Sequence, residues 1–377
     1  MDEPRARNPA APAAVPGSIL SNPAPPHPCR PPREACLLIR RGAADTIHAT
    51  ERPTMLHART SRRRFLGGLG AAAGALWAAG PTAPGQGAGQ DKEKKPMLHL
   101  ATNQYPWSTF FRRDGRDFEK DLDAGLGEVA AAELDGFEPI VTSAQQVDQL
   151  APLLKKHSLA MRSLYVNTTL HDRKEAEASI EHVLAVAAKA KPLGTRIIVT
   201  NPNPLRWGGA ECKDDVQLEM QADALGRLGQ KLAATGLTLA YHYHEPELRC
   251  AAREFHHMMV ATDPKAVSLC LDAHWTFRGS GNSAVAVYDA AKLYGPRIAE
   301  LHLRQSAKGT WTEAFGDGDI DYPRLAKQLA ALAVRPHIVL EQAVEQGTPK
   351  TLTPVEAHRK GAQYARQVFA TFADRAA

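Results

Sequence analysis

From residue 97 onward, short β-rich apolar runs alternate with longer runs whose apolar positions recur every three or four residues. The short runs predict strands near 98–102, 136–138, 160–166, 196–200, 238–242, 267–271, 298–303 and 337–341. Most are continuously apolar rather than alternating, as a parallel sheet covered on both faces requires. Amphipathic runs follow most of them and predict helices over 117–134, 144–156, 173–190, 214–234 and 354–373. Eight such units predict an α/β fold, a (β/α)8 TIM barrel formed as a single domain over residues 96–377. A doubly wound sheet would place a glycine-rich phosphate turn after strand one. Here that turn reads Thr102-Asn103-Gln104-Tyr105-Pro106-Trp107, without glycine, and the glycine-rich stretch 315–321 comes late with no strand directly before it.

The chain ahead of the barrel has a different character. Residues 1–54 are rich in Pro, Ala and Arg with no sustained apolar period, which predicts a disordered leader. Met55 is read as the candidate true start, which would leave 1–54 untranslated. Residues 55–95 carry Ser61-Arg62-Arg63-Arg64-Phe65-Leu66, a weakly apolar run to Gly80 and a Pro/Gly spacer. Basic patch, apolar run and spacer form an export-signal layout, and the paired arginines with Phe-Leu resemble a twin-arginine signal, which implies a periplasmic protein. The apolar run spans about 16 residues, too short and too rich in Ala and Gly for a membrane span of about 20.

Charge narrows the partners. The net charge is +5, but the excess sits before residue 97, in Arg5, Arg7, Arg30, Arg40, Arg41 and the run at 62–64. The barrel itself is near neutral, which argues against a nucleic-acid groove. Of five cysteines, Cys29 and Cys36 lie in the leader, and Cys212, Cys250 and Cys270 show no CxxC spacing. No zinc cluster or disulfide framework follows from them; a Cys212–Cys250 bridge is the one pairing open.

In a barrel of this kind the chemistry sits at the C-terminal ends of the strands. Strand two ends in Glu138, and strand five in Tyr241-His242-Tyr243-His244-Glu245-Pro246-Glu247. Strand six ends in Asp272-Ala273-His274-Trp275, strand seven carries Glu300-Leu301-His302-Leu303-Arg304, and strand eight ends in Glu341-Gln342. Singly, each has a structural reading: an Asp at a strand end often caps the next helix. Together they bring imidazoles and carboxylates to one mouth, a donor mix that suits one divalent ion such as Mn²⁺, Zn²⁺, Co²⁺ or Fe²⁺. Trp107, Trp207, Trp275 and Trp311 all fall just after predicted strands, so they are expected in rim loops, where an indole packs on a sugar face. His244, His274, Arg304 and Glu138 complete the expected substrate-binding set.

These pieces resemble the xylose-isomerase-like sugar isomerase/epimerase family, in order from Gly136-Phe137-Glu138 through the strand-five, -six and -seven motifs, then Gly316-Asp317-Gly318-Asp319-Ile320-Asp321-Tyr322 and Val339-Leu340-Glu341-Gln342. The resemblance covers about residues 97–372. It implies one divalent metal held by Asp272, His302 and Glu341. His242 stands where the family has a glutamate ending strand five, with Glu245 and Glu247 just beyond. Trp275 replaces a histidine three residues after the strand-six aspartate, and Gln305 replaces an aspartate after His302. The activity implied is isomerisation or epimerisation of a small carbohydrate or polyol through an enediolate, with Glu341 as one acid/base group and His242, Glu245 or Glu247 opposite it. Two other readings stand beside it. One is a lyase or dehydratase on a keto-sugar or keto-inositol; the other is a sugar-binding barrel without catalysis.

Overall fold

The structure is a computed structural model that describes residues 98–373. The leader, its arginine run, Cys29, Cys36 and the signal reading lie outside the described residues.

The chain opens with β1 (Leu100–Asn103) and runs directly into α1 (Gln104–Arg113), with α2 (Leu122–Ala131) following. Next come β2 (Gly136–Glu138), α3 (Ala144–Lys156), β3 (Ser163–Tyr165), α4 (Arg173–Ala190), β4 (Ile197–Thr200) and α5 (Asp215–Ala234). The second half holds β5 (Thr238–Tyr241), α6 (Arg249–Ala261), β6 (Val267–Asp272), α7 (Ala273–Gly279), α8 (Ala284–Tyr294) and β7 (Ile298–Leu303). A small antiparallel hairpin, β8 (Ser306–Ala307) with β9 (Thr310–Trp311), precedes α9 (Tyr322–Ala331), β10 (His337–Leu340) and α10 (Pro354–Val368).

Eight strands form one parallel sheet in the order β2-β1-β10-β7-β6-β5-β4-β3. Its two ends meet through bridges from Gly136 to Ala160 and from Ile140 to Tyr165, so the sheet is a nearly closed barrel. The helices cover the outside and bury one continuous apolar layer against the strands. This is the (β/α)8 architecture that the alternation of runs predicts.

Several helix boundaries follow from local capping. Ser143 and Gln146 form a reciprocal capping box at α3, Asp214 and Gln217 at α5, and Thr353 and Glu356 at α10. Asp172 accepts from the backbone of Lys174 and Glu175 and starts α4. The predicted helix 117–134 begins later, at Leu122, because Asp117 turns the chain by accepting from the backbone of Glu119 and Lys120. The predicted 354–373 helix ends at Val368 and continues as a short 3-10 turn, Ala370–Phe372. The stretch after β1, expected to be a loop, is helical. Asn103 Oδ1 caps it from the Tyr105 N–H at 2.7 Å, and Pro106 sits in its first turn, where its missing N–H costs nothing. Gly229 lets α5 close on the sheet: a Cβ there would lie 2.3 Å from the Ala266 carbonyl oxygen. Among the described residues no helix is long and apolar enough to cross a membrane.

Candidate active site

Parallel register sets the levels inside the barrel. Cys270 pairs with Glu300, and Asp272 with His302, so side chains of β6 and β7 enter the interior in steps of two residues. Asp272 ends β6 and uses its two oxygens differently. Oδ1 accepts the Trp275 N–H at 2.6 Å and caps α7, while Oδ2 has no hydrogen-bond partner. Both the capping reading and the site reading of this aspartate therefore apply at once. Oδ2 lies 3.6 Å from Nε2 of His242, which also lacks a hydrogen-bond partner, and both residues are fully buried. His242 is fixed from behind by Tyr165, whose Oη lies 3.2 Å from Nδ1.

His302 sits on β7 with Nδ1 3.3 Å from Glu341 Oε2. Its Nε2 faces the other way, 3.0 Å from Glu300 Oε1 and 3.2 Å from Glu138 Oε1. Glu341 directly follows β10 and is held by Arg304, whose Nε donates to the Glu341 carbonyl at 2.8 Å and whose Nη2 lies 3.0 Å from Oε2. His242, Asp272, His302 and Glu341 each offer one ligand atom, all within 4.8 Å of one another. The sequence expectation that four strands deliver these side chains to one point matches the geometry. Two facing buried acceptor-capable atoms with no partner fit a cation between them, because burial of unpaired polar atoms is otherwise costly. The histidine in place of the family's strand-five glutamate lies inside this group.

The electrostatics separate the carboxylates. Burial would raise Glu341, but Arg304 and then His302 hold it well below the usual carboxylate range, so it is ionised. Burial and the charge of Glu138 push Glu300 far upward, so it keeps its proton. Glu138 is driven the other way despite its burial, by His302 and by hydrogen bonds. Burial opposes charge on His302, yet Cys270 and Glu138 raise the ring above its ordinary value. Glu138 and Glu300 thus anchor the Nε2 side of His302 and leave Nδ1 toward Glu341, the outer-partner arrangement typical of metal-binding imidazoles.

The remaining expected residues fall into two groups. Around the mouth, His244 lies between Trp207 and Trp275, with ring centroids 5.3 and 5.2 Å away. Its Nδ1 is 2.8 Å from Asn201 Oδ1, and burial followed by the nearby His242 depresses its pKa, so the ring is neutral. Arg304 lies over Trp311 at 4.3 Å and Trp275 at 5.2 Å, and the centroids of His274 and Trp311 are 6.1 Å apart.

Three expectations are corrected. Trp107 is no rim residue: it lies in α1, fully buried, stacked on His358 at 4.0 Å, with Nε1 donating to Thr102 Oγ1. The helix that begins at Gln104 turns this indole into the layer between sheet and helices, and Trp275 likewise belongs to a helix, α7, rather than a loop. Glu138 is not presented to a substrate; Asn103 Nδ2 at 2.6 Å and Ser163 Oγ at 2.8 Å bind its two oxygens beneath His302. Glu247 accepts from the His244 N–H at 2.8 Å and from Asn201 Nδ2 at 3.4 Å and so braces the strand-five loop. Burial and the charge of Glu254 push its carboxyl up to about 7. Cys212 and Cys250 are free thiols with sulfurs 3.2 Å apart.

The sequence reading names Glu300 on strand seven without giving it a role, and passes over Tyr165 and Asn201. Glu300 had a usable signal, because it stands two residues before His302 on one strand and so shares its face. Tyr165 and Asn201 carry none.

Residues 126–368 match the xylose isomerase-like TIM barrel family. The chain is 25% identical over 278 residues to an inosose dehydratase of Clostridium botulinum, which covers 66% of this chain and 90% of that protein. Among solved structures it is similar to a sugar phosphate isomerase/epimerase of Parabacteroides distasonis, with a TM-score of 0.58 and 16% identity over 75% of this chain and 97% of the other. It is also similar to the 3-keto-D-glucoside 4-epimerase of E. coli, with a TM-score of 0.51 and 15% identity over 73% and 98%. A family match that spans most of the barrel, and a barrel with the strand order that match requires, place the chain in the xylose isomerase-like TIM barrel family.

Proposed function

We propose that this protein is a metal-dependent enzyme that removes a proton beside the carbonyl of a small polyhydroxy ketone, a keto-sugar or keto-inositol, and expels a β-hydroxyl as water. The observation that carries the metal-supported reading is the pair of partnerless buried atoms, His242 Nε2 and Asp272 Oδ2, facing each other inside the group completed by His302 and Glu341. A divalent ion held by these four residues would supply positive charge to a carbonyl oxygen that becomes negative as the proton leaves.

The protein's own groups divide the remaining work. Glu341 is tied to Arg304 and His302 and held ionised, so it is a weak base and a good anchor. His244 is neutral and its Nδ1 is engaged by Asn201, which leaves Nε2 to accept a proton. In a dehydration, His244 takes the proton from carbon, the carbon–oxygen bond at the β-position breaks, and the imidazolium returns that proton to the departing hydroxide as water. Epimerisation needs a second group, charged with a proton, on the opposite face. The strand-five carboxylate expected there, Glu247, is spent on the loop. This favours elimination, in line with the inosose dehydratase relative. Epimerisation is the second reading, supported by the order of the strand-end motifs and by the epimerase fold neighbours. Export by the twin-arginine route belongs to the same proposal: a folded, metal-loaded protein acting in the periplasm.

Incubation of the metal-reconstituted protein with 2-keto-myo-inositol in deuterated buffer tests this. Elimination yields a dehydrated product with new ultraviolet absorbance; epimerisation yields a stereoisomer carrying solvent deuterium. Absence of both, and of any deuterium exchange with a panel of ketoses, would overturn the enzymatic reading.

A further inference from the structure

The mouth of the barrel holds a set of buried donors with nothing to donate to. The indole Nε1 of Trp275, the indole Nε1 of Trp311 and both Nη1 and Nη2 of Arg304 have no hydrogen-bond partner, and neither ring nitrogen of His274 has one. Indole and guanidinium groups donate only, so what they lack is an acceptor. Their arrangement is compact. Trp275 and Trp311 meet edge to face at 6.1 Å, and the Arg304 guanidinium carbon lies 4.3 Å from the Trp311 ring centroid and 5.2 Å from that of Trp275.

The cations here are matched unequally. Arg278, on the same indole of Trp311 at 4.8 Å, is fully engaged by Glu345, which accepts from both its terminal nitrogens at 2.8 and 3.0 Å. Arg304 has only Glu341, and that carboxylate is shared with His302. Asp272 does not relieve it, since its oxygens face the Trp275 N–H and His242. A hydroxyl placed on this array would satisfy one donor but bring a proton that needs an acceptor of its own. A carboxylate brings two oxygens, four lone-pair sites and no proton, so it accepts from a guanidinium and from indole N–H groups without adding a donor of its own.

We propose that the keto-sugar taken here is a sugar acid, whose carboxylate is received by Arg304 and the indole N–H groups of Trp275 and Trp311. The inference rests on the reading of this mouth as a substrate site. It assigns the two tryptophans a polar role in place of the apolar sugar-face packing expected from their position.

Calorimetric titration of the full chain with D-glucuronate and with D-glucose, which differ in the carboxylate, tests it. The acid is expected to bind about tenfold to a hundredfold more tightly, the worth of a hydrogen bond to a charged group. Arg304→Gln should bring the acid down to the affinity of the neutral sugar. Because Arg304 also supports Glu341, that variant could fail to fold; Trp275→Phe and Trp311→Phe keep the rings, remove the donors, and should each lower the acid's advantage several-fold. Equal affinity for the two probes, measurable binding of neither, or a preference that survives all three substitutions would overturn the proposal. Inorganic phosphate or acetate binding as tightly as glucuronate would also overturn it, by showing an anion site indifferent to sugar. A protein that holds metal and dehydrates a neutral keto-inositol without preferring acids sinks this inference alone. A protein that prefers glucuronate but neither holds metal nor exchanges protons sinks the enzymatic reading instead.

Discussion

Replacing Glu341 with glutamine removes one charge and almost no volume, and the structure says what that charge does. Glu341 is 5% exposed and Arg304 1% exposed, with Nη2 of the arginine 3.0 Å from Oε2. Breaking a buried pair by neutralising one member costs about 3–5 kcal/mol, because the other charge stays buried and uncompensated. The Arg304 Nε bond to the Glu341 backbone carbonyl survives, which places the expected loss near the lower end, about 3 kcal/mol. On a barrel of this size that is a fall in Tm of roughly 6–12 °C. The assay is urea unfolding of chelator-treated protein, so that metal content does not differ between variants. The double variant with Arg304→Gln removes both charges and should recover about 1–3 kcal/mol relative to additivity. The wild-type contribution of Glu341 also has a definite pH signature. Its folded pKa is depressed, so the stability it provides is present above the unfolded value near 4.3 and is lost as pH falls further toward the folded one. The Gln variant should lack that acid limb. A single-variant loss under about 1 kcal/mol, or strict additivity in the double variant, would show that Arg304 is not held by Glu341 in the manner described.

Further outcomes follow from other contacts. Asp272→Asn weakens an expected ligand while keeping the α7 cap, so bound metal measured by elemental analysis should fall steeply with little change in circular dichroism; full stoichiometry would remove Asp272 from the ion's shell. His358 is stacked on Trp107, and burial holds its pKa near about 4, so it binds protons less readily folded than unfolded. The linked stability is complete above an unfolded value of about 6.5 and falls by roughly 3 kcal/mol as the pH drops to about 4, with no further loss from this group below. His358→Phe should flatten that window in denaturant titrations at stepped pH, and an unchanged slope would contradict it. Gly229→Ala would drive a Cβ to 2.3 Å from the Ala266 carbonyl oxygen, and should cost about 1–3 kcal/mol by urea unfolding; a neutral result would mean α5 does not close on β6 as described.

Where a local signal controlled structure, the sequence was a reliable guide. The helices over 144–156 and 173–190 were legible to the residue because Ser143 and Asp172 cap them, and β2 and β7 because their apolar runs end at charged or loop residues. Signals misled where they have two meanings. The stretch after strand one reads as a turn, yet its Asn103 and Pro106 are also what begins a helix. The hairpin of β8 and β9 has two residues per strand, too few for any period to show. The site divides in the same way. Strand ends pointed to Asp272, His302, Glu341 and His242 at one mouth; register sets Asp272 beside His302, and the side chains of His242 and Glu341, from other levels of their strands, reach the same point. It could not foretell that Trp107 faces the helices or that Glu247 turns back on its loop, since those directions depend on partners far off in sequence.

The interior that results is layered, and His302 stands at the boundary. Below it, Glu138 and Glu300 form an acidic floor that shares a proton and fixes Nε2. On its other side, Asp272, His242 and Glu341 converge, and Asp272 Oδ2 and His242 Nε2 there lack partners. Above, Arg304, Trp275 and Trp311 present donors alone. Such an order brings demand for a cation and demand for an anion to the two sides of Glu341. A ligand that lays oxygens across both levels is then held by opposite charges at its two ends, and its orientation follows from electrostatics before any hydroxyl is read. This is why exchanging Glu341 for Gln should disturb both levels at once: it is the one carboxylate that faces His302 on one side and the Arg304 guanidinium on the other.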